Sequence, residues 1–124
     1  MKEKSGFVEL KDVESLNRFL EGSAEEPVVL LKHSNSCGVS SRAYREMAQL
    51  NRPVGLVTVQ KARDVSNEIE RRFGLAHETP QVVIVRGSKV VWNASHSRVS
   101  AYAIEEALKA VSRRQWAEGS RRQS

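Results

Sequence analysis

The chain contains a single cysteine, Cys37, and its neighbours in sequence decide what that thiol can do. A polar stretch, Ser34-Asn35-Ser36, precedes it. From Gly38 the pattern changes: Val39, Ala43, Met47 and Leu50 recur at helical spacing, with Ser40, Arg42, Arg45 and Glu46 between them. Cys37 therefore falls at a strand-to-helix junction, directly before the first turn. The free N–H groups and positive dipole end of a helix stabilise an anion there. A thiolate is such an anion, and cysteines so placed have pKa values lowered from ~8.5 to roughly 4–7. Most free cysteines are small buried hydrophobes instead. The polar loop and the capping position tip this one towards a reactive thiol. Gly38 leaves room for a partner's backbone or a thiol ligand. Ser40, three residues on, can offer a hydrogen bond to the thiolate but cannot close a disulfide.

Thr79-Pro80 is the second feature, directly before the aliphatic run Val82 to Val85. Proline cannot donate a ladder hydrogen bond, so it belongs at a strand's start. His33, His77 and His96 follow no metal spacing. His33, four residues before Cys37, would lower the thiol's pKa if its side chain points the same way, and Lys32 carries the same ambiguity. One cysteine excludes an internal disulfide framework and a cysteine-cluster metal site. The chain has no glycine-rich phosphate loop and no placeable Ser/His/Asp constellation.

The elements that must position these residues alternate between strand and helix. Val8 to Leu10 predicts a short edge strand. Asp12 is the expected N-cap of a helix with Val13, Leu16, Phe19 and Leu20 inward and Gly22 as its stop. Val28 to His33 reads as a central strand and Val54 to Val59 as another. Asp64 is the expected cap of a helix ending before Gly74. Val82 to Val85 and Lys89 to Asn93 flank a two-residue hairpin turn, Gly87-Ser88. Ser100 caps a last helix carrying Ala103, Ile104, Ala107, Leu108 and Val111. Crossover helices require parallel pairing and the hairpin antiparallel pairing. The expected fold is α/β, a mixed four- or five-stranded sheet flanked by helices, in the order used by thioredoxin-like proteins.

Composition bounds the rest. At 124 residues there is enough chain for one domain, and 40% hydrophobic with 28% charged residues reads as globular. The net charge of +5 invites a nucleic-acid reading, but the twelve residues from Arg113 hold four Arg and one Glu, leaving only +2 on the other 112. We expect one thioredoxin-like domain over residues 1–114 and a polar, Arg-rich, frayed tail over 115–124. The longest aliphatic runs are four residues, so no membrane span is expected. Met1-Lys2-Glu3-Lys4 leads into no apolar stretch, so no signal peptide is expected, and a cytoplasmic setting is the default.

Two stretches carry a family resemblance. The segment from Leu31 to Glu46, Leu-Lys-His-Ser-Asn-Ser-Cys-Gly-Val-Ser-Ser-Arg-Ala-Tyr-Arg-Glu, resembles the active-site segment of the bacterial monothiol bacilliredoxins. The segment from His77 to His96 is similar to the family's "His-Glu-Ser-Pro-Gln … Lys-Val-Val-Trp-x-Ala-Ser-His" run. Together with the helix from Arg63 to Gly74, the likeness spans roughly Phe7 to Val111. It implies a thioredoxin-like fold and an enzyme that removes bacillithiol from mixed disulfides on client proteins, with Cys37 as catalytic residue. It also implies a substrate-facing site at Gly38, Ser40, Thr79 and Pro80, with the Thr79-Pro80 bond cis and Thr79 offering its backbone to the disulfide partner. No tightly bound cofactor or metal is expected; bacillithiol is the co-substrate. The implied partners are bacillithiolated clients and a low-molecular-weight thiol, with no nucleic acid or membrane, and the protein is expected to be a monomer. Because bacillithiol bears carboxylates, charge alone nominates Lys32, Arg42 or Arg86 to bind it. Two positions depart from the family: Gly38 stands where proline is usual, and Ser97 where tryptophan often follows the Ser-His pair. Cys37-Gly-Val-Ser40 is also similar to the Cys-Gly-Phe-Ser motif of monothiol glutaredoxins, which implies an iron–sulfur carrier as the alternative. A thioredoxin-like binding module without redox turnover is the third reading.

Overall fold

The computed structural model describes residues 6–36 and 38–111. Cys37 and the C-terminal segment with its Arg113-Arg114 and Arg121-Arg122 pairs lie outside the described residues. Five strands form one sheet in the order β1-β3-β2-β4-β5. They are β1 Gly6–Glu9, β2 Val28–His33, β3 Pro53–Thr58, β4 Gln81–Arg86 and β5 Lys89–Ser95. Helices α1 Val13–Glu21, α2 Gly38–Met47 and α3 Arg63–Phe73 connect them, and α4 covers residues 101–111.

β2 is central because both its faces are apolar and both are covered. Val29 and Leu31 pack with Ala43 and Met47 of α2 and Ile104 and Leu108 of α4. Leu30, on the opposite face, packs with Leu16 and Leu20 of α1 and Val65 and Ile69 of α3. The close seat of α1 depends on Gly55 in β3. A Cβ there would meet the Phe19 ring at 2.8 Å, Leu30 at 2.9 Å and Leu10 at 3.0 Å.

β1 and β2 both run parallel to β3, as their helical connections require. The third connection departs from expectation. α3 joins β3 to β4, yet β4 runs antiparallel to β2, so this helix links strands of opposite direction with β2 between them. Gly87 and Ser88 adopt φ of 59° and 67°, the two positive values a type I′ turn needs, and β4 pairs antiparallel with β5.

The helix boundaries follow local chemistry. Asp12 accepts from the Ser15 N–H at 2.8 Å while Ser15 Oγ accepts from the Asp12 N–H at 3.2 Å, a reciprocal cap worth about 1 kcal/mol. Ser100 Oγ accepts from the Ala103 N–H at 3.1 Å ahead of α4. Asp64 does not cap α3: Ala62 is the N-cap residue, and Asp64 lies in the first turn. There its charge complements the helix dipole. Gly74 ends α3 with φ of 66°.

Candidate active site

The antiparallel register pairs Lys32 near the end of β2 with Gln81 at the start of β4. This brings the loop of residues 34–36 and the Thr79-Pro80 step to the same edge of the sheet, on either side of the strand end. The Thr79-Pro80 peptide is cis, and Pro80 is buried with Thr79 partly so. The His96 N–H donates to the Pro80 carbonyl at 2.9 Å, and Gln81 Nε2 donates to the Ala76 carbonyl at 3.2 Å. His96 Nε2 lies 3.0 Å from Glu78 Oε1 across this turn. Among the described residues Thr79 has no hydrogen-bond partner.

Two residues hold the loop that leads to position 37. Ser40 is 0% exposed. Its Oγ accepts from the Ser34 N–H at 2.9 Å and lies 2.9 Å from His33 Nδ1. Gln60, in the turn after β3, reaches the same loop from the other side. Its Nε2 donates to Ser34 Oγ at 2.8 Å, and its Oε1 accepts from the Asn35 N–H at 3.1 Å. Sequence reading gives no signal for Gln60, because its partners lie 25 and 26 residues earlier and nothing local marks it.

Lys32 and His33 follow each other in β2 and so point to opposite faces. Lys32 is 0% exposed, and neither its Nζ nor the neighbouring Gln81 Oε1 has a hydrogen-bond partner among the described residues. Burial holds its pKa below the usual lysine value, against the opposing pull of Glu70 and Glu78. His33 lies on the α2 face, buried, its ring tilted against Tyr44 at 5.1 Å. Burial lowers its pKa, and the Ser40 hydrogen bond opposes that shift. His77 is also lowered, first by burial and then by the Lys32 charge.

The expected site residues separate on this frame. Gly38, Thr79 and Pro80 occupy the edge described, with Gly38 exposed at the start of α2. The Ser40 side chain is enclosed, with His33 and Ser34 as its hydrogen-bond partners among the described residues. Of the cations nominated by charge, Lys32 is wholly internal. Arg86 lies at the far end of β4, donating to the Ser23 and Ala24 carbonyls at 3.2 and 2.9 Å. Arg42 is exposed on α2. No group of three or more His, Cys, Asp or Glu among the described residues is arranged to hold a metal. None of the described helices is long and apolar enough to cross a membrane.

This sheet order, with a cis proline beside the end of the central strand, defines a thioredoxin-fold protein. The chain superposes on thioredoxin from Trypanosoma brucei brucei with a TM-score of 0.72 at 13% identity, covering 91% of this chain and 97% of that one. Fasciola hepatica thioredoxin gives 0.68 at 13% identity, covering 82% and 96%. A protein described by its thioredoxin fold and a provisional oxidoreductase assignment gives 0.76 at 25% identity, covering 82% and 92%. Residues 8–104 match the family described as Monothiol bacilliredoxin BrxC, and the chain belongs to that family. Family and fold together set it among thiol-redox proteins.

Proposed function

We propose that this protein is a monothiol thiol–disulfide oxidoreductase that removes bacillithiol from mixed disulfides on client proteins, with Cys37 as the attacking residue. The observation that carries the reading is the solitary cysteine of the chain, standing directly before Gly38, the first residue of α2. The dipole end of that helix favours the thiolate. The hydrogen-bonded 34–36 loop and the Thr79 backbone, without a partner among the described residues, suit an edge on which an extended client segment can lie.

In the reaction, the Cys37 thiolate attacks the bacillithiol sulfur of the mixed disulfide. A bond forms between those sulfurs as the bond to the client sulfur breaks. The client leaves as a thiolate and takes up a proton from water. Ser40 supplies no second sulfur, so an external thiol must attack the adduct. A second bacillithiol would release bacillithiol disulfide and regenerate the Cys37 thiolate. The rate follows the thiolate fraction and access to the sulfur. The test is to load a client with bacillithiol and follow its release. Wild type should release it and Cys37→Ser should not; full activity in Cys37→Ser contradicts the mechanism.

A further inference from the structure

A cleft of about 420 Å³ lies between α2 and the C-terminal ends of β1 and β3, on the face of the sheet that carries His33. Its volume falls within the roughly 300–1,000 Å³ of small-molecule sites. The floor is His33, Tyr44 and Leu56. It is packed: the Tyr44 ring stacks on Phe7 at 4.3 Å and 22° and leans on His33 at 5.1 Å. The rim carries Glu9, Arg45 and Lys61. All three are exposed, and none forms an ion pair with a described residue. A second cleft of about 310 Å³ shares Glu9, Thr58 and Lys61 with the first, so the trough continues over the strand ends.

The cleft also lies beside the reactive position in the chain. Asn35 and Ser41 line it, two residues before and four after Cys37. Ser41, Tyr44 and Arg45 share one face of α2 by their spacing. Thr79-Pro80 lies at the start of β4, on the other side of β2 from β3 and β1. Two different partners can therefore approach the end of β2 from two sides.

We propose that this cleft binds a carboxylate-bearing aminothiol, the small-thiol half of the mixed disulfide, with Arg45 and Lys61 taking its carboxylates and Glu9 its ammonium group. The proposal rests on the function proposed above and assigns its ligand site. Two cations against one carboxylate leave a net positive rim, which suits a ligand with more carboxylates than amines. The packed aromatic floor holds its side chains in place before a ligand arrives, which lowers the ordering cost of binding. The cleft holds the small thiol while its sulfur exchanges a bond to the client for a bond to Cys37, so no further oxidant or reductant enters. The client half stays on the Thr79-Pro80 side.

The test uses the full-length Cys37→Ser protein, which cannot form the adduct, and follows backbone amide shifts during titration with reduced bacillithiol or 2-mercaptoethanol. Bacillithiol should move Ser41, Tyr44, Arg45 and Lys61, and 2-mercaptoethanol at the same concentration should not. The double substitution Arg45→Gln with Lys61→Gln should weaken bacillithiol at least tenfold with the amide fingerprint retained, while Arg42→Gln should bind as before. The site is overturned if bacillithiol shifts only the Thr79-Pro80 edge, if it shifts nothing, or if the double variant binds equally well. Turnover separates the two readings. A wild-type protein that binds bacillithiol in the cleft but releases none from a client overturns the function and leaves the site standing. With both correct, the double variant raises KM for a bacillithiolated client and keeps kcat.

Discussion

Lys32 and His33 are consecutive residues of one strand, both buried, and they meet opposite fates. His33 turns to the α2 face and finds Ser40, which in turn holds Ser34. Lys32 turns to the α3 face and finds no hydrogen-bond partner among the described residues, beside an equally unpartnered Gln81 oxygen. A buried polar group with its partner stiffens the structure around it; one without a partner costs its desolvation and returns nothing to stability. The His33 side thus builds the loop before Cys37 and the floor of the charged cleft. The Lys32 side carries an internal cation at the root of the Thr79-Pro80 edge.

The comparison breaks first at Ser40. Ser40→Ala leaves the Ser34 N–H and the His33 ring without their partner, and should cost about 3 kcal/mol for two buried groups in urea unfolding. A loss under about 0.5 kcal/mol would mean the His33 side is not held as described. Lys32→Met should move the other way. Replacing an unpaired buried amine by an apolar chain of similar length should add about 2 kcal/mol, and a net loss would show that Lys32 has a stabilising partner. Gln60→Ala comes next. It frees Ser34 and Asn35 from the turn after β3 at about 1 kcal/mol, and should slow release from every client alike, because both sides of the site share that loop.

The pH profiles sharpen the contrast in two separate windows. Burial lowers the folded pKa of both groups, so the unfolded chain binds each proton more readily. For His33, stability is full above the ordinary value of 6.5 and falls as pH drops below it. For Lys32, stability rises as pH climbs from its lowered folded value towards 10.5. His33→Gln should flatten part of the slope just below pH 6.5 and leave the alkaline one, with His77 contributing to the same slope. Lys32→Met should flatten the alkaline rise.

Much of the frame was legible because local rules decide it. The run Val28 to His33 gave β2 residue for residue, the Gly87-Ser88 pair gave the hairpin turn, and Gly74 ended α3. The change of period at Gly38 found the start of α2. Asp64 misled because a capping residue and a first-turn acid look alike in sequence. The direction of β4 was hidden for a similar reason: a helical connection does not by itself say which neighbour a strand will choose. Whether Lys32 and His33 face the thiol depends on which pleat each occupies, and periodicity alone leaves that open. The Gln60 clip and the cleft rim join residues from separate elements, Glu9 with Arg45 and Lys61, so no local pattern announces them.

The central claim is that Cys37 exchanges with bacillithiol. Intact-protein mass spectrometry after exposure to oxidised bacillithiol, beside oxidised glutathione, tests it most directly. The account predicts one bacillithiol adduct, confined to Cys37 and formed faster than the glutathione adduct. An unmodified Cys37, or equal rates with both disulfides, would contradict it.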